Sequence, residues 1–326
     1  MPQIRYDYIT GVTHIQWDVT FPIKCPVCNG KANPVFSISR ETASKASFLK
    51  IKKEKEEIEN WDVLVAEHPQ PLVDDKYTGE WNEWPYKSEP AKGKHYVVFI
   101  GKDHEPFHEL SKDQVYEALY AIQETYKKLS DLNRVIYISI IMLSADGADM
   151  EGHPHFDVIG LPFVPKVINE EMNRFVKSLE DKDTCPICEV IKAEELGSKL
   201  IYRNENWIAY YPWSPSRKNE IRITSLTHYK PISKLTQKEL QDLAFLLLTS
   251  AKALHEVSGT DYTIVFHLLP PKRSVTYYHN YIQLFNIKDI TESMLNGLGI
   301  YIGNSDTEFK KIQNAYKNVL KNMVGL

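Results

Sequence analysis

The sequence predicts an α+β protein of two tandem domains, each an antiparallel sheet with helices, facing each other as an intramolecular pseudo-dimer. All four cysteines of the 326-residue chain fall in two pairs of identical spacing, Cys25-Pro-Val-Cys28 and Cys185-Pro-Ile-Cys188. The same order of elements follows each pair: strand, strand, helix, strand and strand. Connections this short cannot cross over between parallel strands, so antiparallel pairing is expected. A repeat of this length indicates two copies of one unit.

The first copy lies in the N-terminal half. Residues 61–65 and 95–100 are rich in β-branched and aromatic side chains, which predicts two strands. The segment Ser111-Lys-Asp-Gln114 matches a capping box, and apolar residues recur after it at helical spacing, so a helix is predicted to begin there. Another strand is predicted over residues 135–143, ahead of the segment Gly152-His-Pro-His-Phe-Asp157.

The second copy repeats these elements in the C-terminal half. Residues 207–211 and 221–224 predict the two early strands, and Thr236-Gln-Lys-Glu239 is again a capping box. A strand is predicted over residues 262–269, followed by Tyr278-His-Asn-Tyr-Ile-Gln283. The predicted domains are therefore residues 1–180 and 181–326.

The first copy carries extra residues between its cysteine pair and its helix. Residues 41–60 are rich in Lys and Glu, which predicts a solvated helix or a mobile loop. Residues 69–92, with Trp81, Trp84 and Pro85, are interpreted as a dimer arm or as a lid over a pocket.

Each half places two histidines where they can join its cysteine pair. His104 and His228 are 124 residues apart and His153 and His279 are 126 apart, so the spacing is nearly constant. Two thiolates and two imidazoles form the closed donor set of a structural zinc site. The alternatives are a redox-active dithiol, which lacks a thioredoxin-like context here, and reduced, unligated cysteines. The two predicted zinc sites are Cys25, Cys28, His104 and His153, and Cys185, Cys188, His228 and His279.

The series His153-Pro-His155-Phe-Asp157 alternates polar and apolar residues after a β-rich run. If this segment is extended, the three polar side chains lie on one face. A metal held by His153 would keep His155 still, and a neutral imidazole fixed in this way suits nucleophilic attack on phosphorus. The alternative is that all three side chains merely line a metal site.

Composition limits the other classes of function. The net charge of −4 gives no electrostatic basis for wrapping a nucleic acid. No apolar run is long enough to span a bilayer, and the N-terminus lacks a basic and apolar leader. The chain is therefore expected to be cytoplasmic, with no nucleic-acid or membrane partner.

Several segments match one known family: Arg5-Tyr-Asp7 with Thr10-Gly11, Cys25-Pro-Val-Cys28, Asp103-His104 with Glu109-Leu110, the Gly147-Ala148 turn, His153-Pro-His155, and residues 202–212. Together they resemble the galactose-1-phosphate uridylyltransferase branch of the histidine triad superfamily, which includes ADP-glucose phosphorylase-like members. The resemblance covers nearly the full chain. It implies two histidine-triad-like domains and, because members of the branch are commonly dimers, is compatible with a homodimer.

The resemblance implies a nucleotidyltransferase with a nucleotide sugar and a sugar phosphate as substrates. His155 would accept the nucleotide, His153 would be a zinc ligand, and Arg5 and Asp149 would contact the substrate. The serine usually found in the turn before the triad corresponds to Asp149 or Met150. ADP-glucose and dinucleoside polyphosphate phosphorylase-like relatives pass the nucleotide to phosphate instead.

Two further departures from the family pattern concern the site. Asp157 stands where the family has Gln or His, and a carboxylate there repels an α-phosphate unless it is protonated or bridged by a cation. A phosphorylase or hydrolase with Asp157 as a protonated general acid, and a non-catalytic zinc-stabilised nucleotide-binding protein, are the alternatives. Tyr281 replaces the second nucleophile, so the second half is expected to be inert. Glu171 matches the spacing of the branch's iron-site glutamate, which leaves a mixed second metal site as a further hypothesis.

Overall fold

The computed structural model describes residues 1–17, 19, 23–43, 46–53, 60–144, 149–228, 230–259, 261–273, 277–287 and 304–324. In this part of the chain, the strands form one antiparallel sheet of eleven strands and a separate antiparallel sheet of four. The strands are β1 (Gln3–Tyr6), β2 (Thr13–Gln16), β3 (Asn33–Ala43), β4 (Ala46–Lys52), β5 (Val63–Glu67), β6 (Trp81–Glu83), β7 (Tyr86–Pro90), β8 (Lys94–Ile100), β9 (Tyr137–Ser144), β10 (His155–Leu161), β11 (Leu200–Arg203), β12 (Trp207–Tyr210), β13 (Ile221–Ser225), β14 (Tyr262–His267) and β15 (Tyr281–Asn286).

The large sheet contains both copies of the repeat, joined in the middle. Its order is β11-β12-β13-β15-β14-β9-β10-β8-β5-β3-β4, and β9 pairs antiparallel with β14 at the junction. Ile141 of β9 lies opposite Val265 of β14. Within the first half Ile141 also lies opposite Asp157, and within the second half Val265 lies opposite Gln283. A pseudo-two-fold axis therefore passes between Ile141 and Val265, and the predicted α+β pseudo-dimer is confirmed.

The helices are α1 (Lys112–Ser130), α2 (Lys166–Lys182), α3 (Pro186–Leu196), α4 (Gln237–Ser258) and α5 (Ser305–Val324). Both predicted capping boxes are present. The Ser111 side chain accepts from the backbone N–H of Gln114, and the Thr236 side chain accepts from that of Glu239. The predicted domain division after residue 180 falls in the last turn of α2 and remains a prediction.

The main core lies between α1, α4 and one face of the large sheet. Alternate residues of β8 and β10, such as Val98, Phe156 and Val158, are buried in this core. Because successive side chains of a strand point to opposite faces, His155 and Asp157 lie on the other face, away from α1. Phe99 of that face packs in a separate apolar cluster with Cys25. The alternation thus places the polar residues of β10 beside the first cysteine pair.

The interpretation of residues 41–60 as a helix or loop is wrong for the part that the structure describes. β3 and β4 form a hairpin in which Ile38 lies opposite Ile51 and Arg40 lies opposite Leu49. Leu49 and Ile51 alternate with Lys50 and Lys52, a period-two pattern that favours a strand. Residues 54–59 lie outside the described residues.

Residues 69–92 contribute β6 and β7 to the small sheet, whose order is β2-β1-β7-β6. Trp81 and Trp84 are 56% and 79% exposed there. The roles predicted for this segment, a dimer arm or a lid, stay predictions. Among the residues that the structure describes, no helix combines the length and apolar character needed to cross a membrane.

Candidate active site

The first cysteine pair lies beside the two histidines predicted to join it. Cys25 and Cys28 lie in a turn before β3, His104 follows β8, and His153 comes just before β10. Sγ of Cys28 lies 2.8 Å from Nε2 of His104, and Sγ of Cys25 lies 3.6 Å from Nδ1 of His153. One ligand atom from each of the four residues lies within 4.8 Å of the others, so a single metal ion could contact all four.

Backbone carbonyls orient both imidazoles of this group. Nδ1 of His104 donates to the carbonyl oxygen of Glu151 over 3.0 Å, and Nε2 of His153 donates to that of Gly101 over 3.1 Å. The other nitrogen of each neutral ring is therefore unprotonated and faces the cysteines. Metal-bound histidines usually show this arrangement, in which the nitrogen remote from the ion donates to a carbonyl or carboxylate.

The second group has similar geometry. Cys188 lies in the first turn of α3, and its Sγ lies 3.0 Å from Nε2 of His228 and 3.4 Å from Nε2 of His279. Nδ1 of His279 donates to the carbonyl oxygen of Ser225 over 2.7 Å, which again turns the unprotonated nitrogen toward sulfur. With Cys185 these residues form the second group that could hold a metal ion.

The electrostatics of both groups favour a bound cation. Burial and the neighbouring cysteine raise the pKa of the Cys28 thiol, and likewise that of Cys188, to about 11. Burial lowers the pKa of His153 and of His279 to about 4, so both rings are neutral and can act as ligands. A bound metal ion removes the penalty on the thiolates, because a coordinated thiol is deprotonated. The donor set thus fits a tetrahedral ion.

His155 is held in one orientation at the start of β10. Its side chain is buried, and its Nδ1 donates to the carbonyl oxygen of His153 over 2.6 Å. In its neutral form the ring would therefore carry its lone pair on Nε2. Because His153 belongs to the first metal group, one short segment links that group to an imidazole held in one orientation.

Asp157 lies between His155 and a third histidine, His95 of β8. Its Oδ2 lies 4.0 Å from Nε2 of His155, and its Oδ1 lies 2.9 Å from Nε2 of His95. The backbone N–H of Leu72 donates to Nδ1 of His95 over 3.1 Å. The proton of the neutral His95 ring is therefore on Nε2 and is donated to Asp157.

The hydrogen bond from His95 decides the protonation of Asp157. Burial opposes ionisation of this carboxyl, but the bond from His95 and the surrounding imidazoles lower its pKa to about 2. Burial also lowers the pKa of His95, which keeps that ring neutral. Asp157 is therefore a carboxylate at neutral pH.

His68, His95 and Asp157 form a third group whose ligand atoms lie within 4.8 Å of one another. Nδ1 of His68 accepts from the backbone N–H of Gln70 over 3.1 Å, as Nδ1 of His95 does from Leu72. In their neutral forms both rings would carry a proton on Nε2, where a metal ligand needs a lone pair. Ring orientation therefore separates this group from the two cysteine-containing groups, and His95 positions Asp157.

The sequence pattern did not single out His68 or His95 as site residues. Both are buried, and their rings stack with centroids 4.1 Å apart. The one available signal is that His95 lies in the predicted strand just before His104. Only the pairing of β8 with β10 brings it to Asp157.

The two residues expected to contact substrate are placed differently. Arg5 lies on β1 of the small sheet, where its guanidinium donates to Gln3 over 3.4 Å. Among the described residues, no contact links Arg5 to His155 or Asp157. Asp149 begins the 3₁₀ turn Asp149–Gly152, which leads into the His153 segment. The predicted Gly147-Ala148 turn lies outside the described residues.

The second half contains a tyrosine at the position equivalent to His155. The Tyr281 hydroxyl donates to Oε1 of Glu171 over 2.7 Å. Nδ1 of His267 lies 3.0 Å from the same oxygen, and its Nε2 lies 2.7 Å from Oε1 of Gln283. Glu171 thus joins a hydrogen-bonded cluster with Tyr281 and His267. It is not part of the second cysteine-containing group, so the hypothesis of a mixed site with Glu171 gains no support.

Sequence comparisons give two curated relatives. The chain is 27% identical over 201 residues to the galactose-1-phosphate uridylyltransferase of Thermotoga maritima, a match covering 58% of this chain and 60% of the relative. It is 24% identical over 205 residues to that of Haemophilus influenzae, covering 61% of this chain and 58% of the relative. The chain therefore matches about three fifths of the length of either protein. No family model matches it.

Structural comparison extends the similarity over almost the whole chain. A solved uridylyltransferase structure has a TM-score of 0.81 at 24% identity and covers 98% of this chain and 100% of its own. An ADP-glucose phosphorylase from Arabidopsis thaliana, solved with bound ADP-glucose, has a TM-score of 0.72 at 19% identity and covers 96% and 98%.

The fold is therefore that of the solved uridylyltransferase and of the ADP-glucose phosphorylase, with two similar α+β units fused in one chain. The resemblance predicted from the sequence is confirmed: the chain is similar to the galactose-1-phosphate uridylyltransferase branch.

Proposed function

We propose that the protein is a nucleotidyltransferase that moves a nucleoside monophosphate between a sugar nucleotide and a sugar 1-phosphate through His155. The observation that carries the proposal is the fixed His155 ring. Its Nδ1 is occupied by the His153 carbonyl over 2.6 Å, so Nε2 is the nitrogen that can attack. The similarity to the two curated uridylyltransferases supports the same reaction class.

The reaction has two balanced steps. In the first, Nε2 of His155 forms a bond to the α-phosphorus of the sugar nucleotide, and the bond from phosphorus to the bridging oxygen breaks. Both electrons of that bond leave with the sugar 1-phosphate. In the second, a phosphate oxygen of another sugar 1-phosphate attacks the phosphorus, and the N–P electron pair returns to Nε2.

Asp157 acts on the charge that develops during the first step. Once Nε2 is bonded to phosphorus, the His155 ring is cationic because Nδ1 keeps its proton. The Asp157 carboxylate, 4.0 Å from Nε2 in the free protein, stabilises that charge and is itself held by His95. Unit charges 4 Å apart attract by about 4 kcal/mol at an effective dielectric constant near 20, and this attraction opposes the repulsion between the carboxylate and the phosphate oxygens.

We further propose that both cysteine-containing groups bind zinc, because two sulfur and two nitrogen donors suit that ion. Cys25, Cys28, His104 and His153 would hold the first ion. When bound, the ion supplies rigidity, fixing His153 and thereby the carbonyl that orients His155.

The alternative in which Asp157 is a protonated general acid receives less support. The proton between His95 and Asp157 belongs to the imidazole, since Nδ1 of His95 is occupied by Leu72 N–H. Passing the nucleotide to phosphate instead of to a sugar 1-phosphate would change only the acceptor in the second step and would use the same His155 chemistry.

The test is a labelling experiment with UDP-glucose or ADP-glucose carrying ³²P at the α-position. A phosphoramidate that is acid-labile and base-stable is expected on the wild type and not on His155→Ala. The matched control is His14→Ala, because His14 is exposed on β2 of the small sheet and should be dispensable. Absence of label on the wild type with several sugar nucleotides, or equal label on His155→Ala, would reject the proposal.

A further inference from the structure

The second half contains a cavity at the place equivalent to the His155 site. Gln283 and Asp157 occupy equivalent positions. Asp157 lies opposite Ile141 and Gln283 lies opposite Val265, and the pseudo-two-fold axis passes between Ile141 and Val265. Tyr281 and His155 each lie two residues before these positions, so they are equivalent as well. Tyr281 and Gln283 line a cavity of about 550 Å³, within the size range of small-molecule sites.

The cavity is rich in guanidinium groups. Arg174 from α2, Arg217 from the loop before β13, and Arg222 from β13 all line it. The first half has no arginine at the position equivalent to Arg222. In the second half Arg222 lies opposite Gln283, whereas in the first half Val97 lies opposite Asp157. Guanidinium groups bind phosphate oxygens in bidentate fashion, so three of them lining one cavity favour a phosphorylated ligand.

A fully buried carboxylate, Glu220, connects the segments that carry Arg217 and Arg222. Its Oε1 accepts from Nε of Arg222 over 2.6 Å and from Nε2 of Gln283 over 2.9 Å. Its Oε2 accepts from the backbone N–H of Ser216 over 2.6 Å and from that of Arg217 over 3.3 Å. The loop and the strand that carry two of the arginines are therefore fixed before any ligand arrives.

An aromatic and apolar surface lies beside the arginines. The Arg217 guanidinium lies over the Phe285 ring at 5.7 Å from its centroid. Phe175 and Val190 also line the cavity. A planar base fits against such a surface, whereas a sugar phosphate alone would leave it uncovered.

The cavity can bind such a ligand without reacting with it. The Tyr281 hydroxyl is engaged as a donor to Glu171 over 2.7 Å, and His267 is bonded through both nitrogens to Glu171 and Gln283. Among the described lining residues, the imidazole therefore has no free nitrogen to act as a nucleophile.

We propose that the second half is a non-catalytic binding site for a nucleoside phosphate, with Arg174, Arg217 and Arg222 contacting the phosphate and the Phe285 side contacting the base. The inference rests on the proposed function, because it assumes that the two equivalent sites recognise the same class of ligand. A nucleotide held here occupies a site joined through the central strands β14 and β9 to the strand that carries His155.

The test counts reversibly bound nucleotide by equilibrium dialysis with labelled UMP and AMP, which carry no leaving group on phosphorus. The variant is Arg174→Gln combined with Arg217→Gln, which leaves the Arg222–Glu220 ion pair intact. The control is Arg203→Gln, an arginine of β11 that pairs with Glu195 outside the cavity. Circular dichroism and thermal midpoints check that each variant is folded.

Two nucleotides per chain are expected for the wild type and the control, and one for the double variant. Each lost arginine should weaken the second site about tenfold or more. Equal stoichiometry and affinity in variant and control would overturn the proposal, as would binding of inorganic phosphate or glucose 1-phosphate as tight as that of UMP or AMP.

Failure of the proposed function looks different. If the His155 site binds no nucleotide, the wild type should bind one nucleotide per chain and the double variant none. That result would support the site in the second half and remove support from the proposed function of the first half. Covalent label on His155 is measured separately and does not depend on this count.

Discussion

His95 and Asp157 lie on neighbouring antiparallel strands, and the Nε2–H of His95 donates to Oδ1 of Asp157 over 2.9 Å. The bond fixes the carboxylate with its second oxygen 4.0 Å from Nε2 of His155. The departure from the family pattern at position 157 is thus accompanied by a buried partner that stabilises the negative charge.

The first prediction concerns the charge of Asp157. Asp157→Asn keeps the shape of the side chain and removes the charge that stabilises the cationic His155 ring. The rate of nucleotide transfer to His155 should fall roughly 100-fold, the size of effect found when one preorganised electrostatic contact is lost. Single-turnover labelling measures this rate. A faster rate in Asp157→Asn would mean that repulsion of the phosphate dominates.

The second prediction concerns pH. Because the pKa of Asp157 is lowered to about 2, this carboxylate stays ionised from pH 5 to pH 9. The pH profiles of labelling for the wild type and for Asp157→Asn should therefore run parallel over that range, with the variant lower throughout. An acidic optimum in the wild type that disappears in Asp157→Asn would instead support a protonated general acid.

The third prediction concerns metal content. Elemental analysis of the purified protein should give two zinc ions per chain, and His104→Ala should give one. His14→Ala is the matched control, since it removes an exposed histidine of the small sheet and should leave two. Cys25→Ser and Cys185→Ser should each lower the free energy of unfolding by several kcal/mol, because metal binding and folding are linked. Protein without zinc would contradict both sites.

The fourth prediction concerns Glu117 of α1, whose carboxylate is almost fully buried and accepts from Nε of Arg40 over 2.8 Å. Burial raises the pKa of Glu117 from 4.5 to about 7, although Arg40 opposes the shift. The folded state then keeps a proton that the unfolded chain releases, so this group's contribution to stability declines as pH rises from 4.5 through about 7.

Urea unfolding at pH 5 and pH 8 checks this sign. Between pH 5 and pH 8, the free energy of unfolding of the wild type should fall by up to a few kcal/mol more than that of Glu117→Gln, since each pKa unit is worth about 1.4 kcal/mol. Glu41→Gln, at a partly exposed residue of the neighbouring hairpin, should follow the wild type. A parallel course for the wild type and Glu117→Gln would show that the carboxyl has an ordinary pKa.

The sequence was informative wherever a feature is decided locally or occurs twice. Ser111 and Thr236 cap their helices as predicted because a capping box involves only four residues. The two metal groups could be predicted because the CPxC spacing occurs in both halves and the matching histidines keep a nearly constant offset. The hairpin of β3 and β4 was missed because its charged residues concealed the alternation of Leu49 and Ile51.

The polar environment of Asp157 could not be predicted in the same way. His95 is 62 residues away in sequence, and its role depends on the register of two strands and on a backbone N–H from Leu72. Nothing in the residue pattern specifies which nitrogen of His95 carries the proton. Only the geometry shows that Asp157 is a hydrogen-bonded carboxylate.

The pairing of Ile141 with Val265 has a consequence for fragments of this protein. If residues 1–180 were produced alone, strand β9 would lose its neighbour and display a row of unsatisfied backbone groups, which readily recruit another strand. The strand best matched to that edge is β9 of a second copy, because the axis through Ile141 would then be a true two-fold. The fragment is therefore expected to assemble as a symmetric dimer, with two separate chains reproducing the arrangement that covalent linkage maintains in the intact protein.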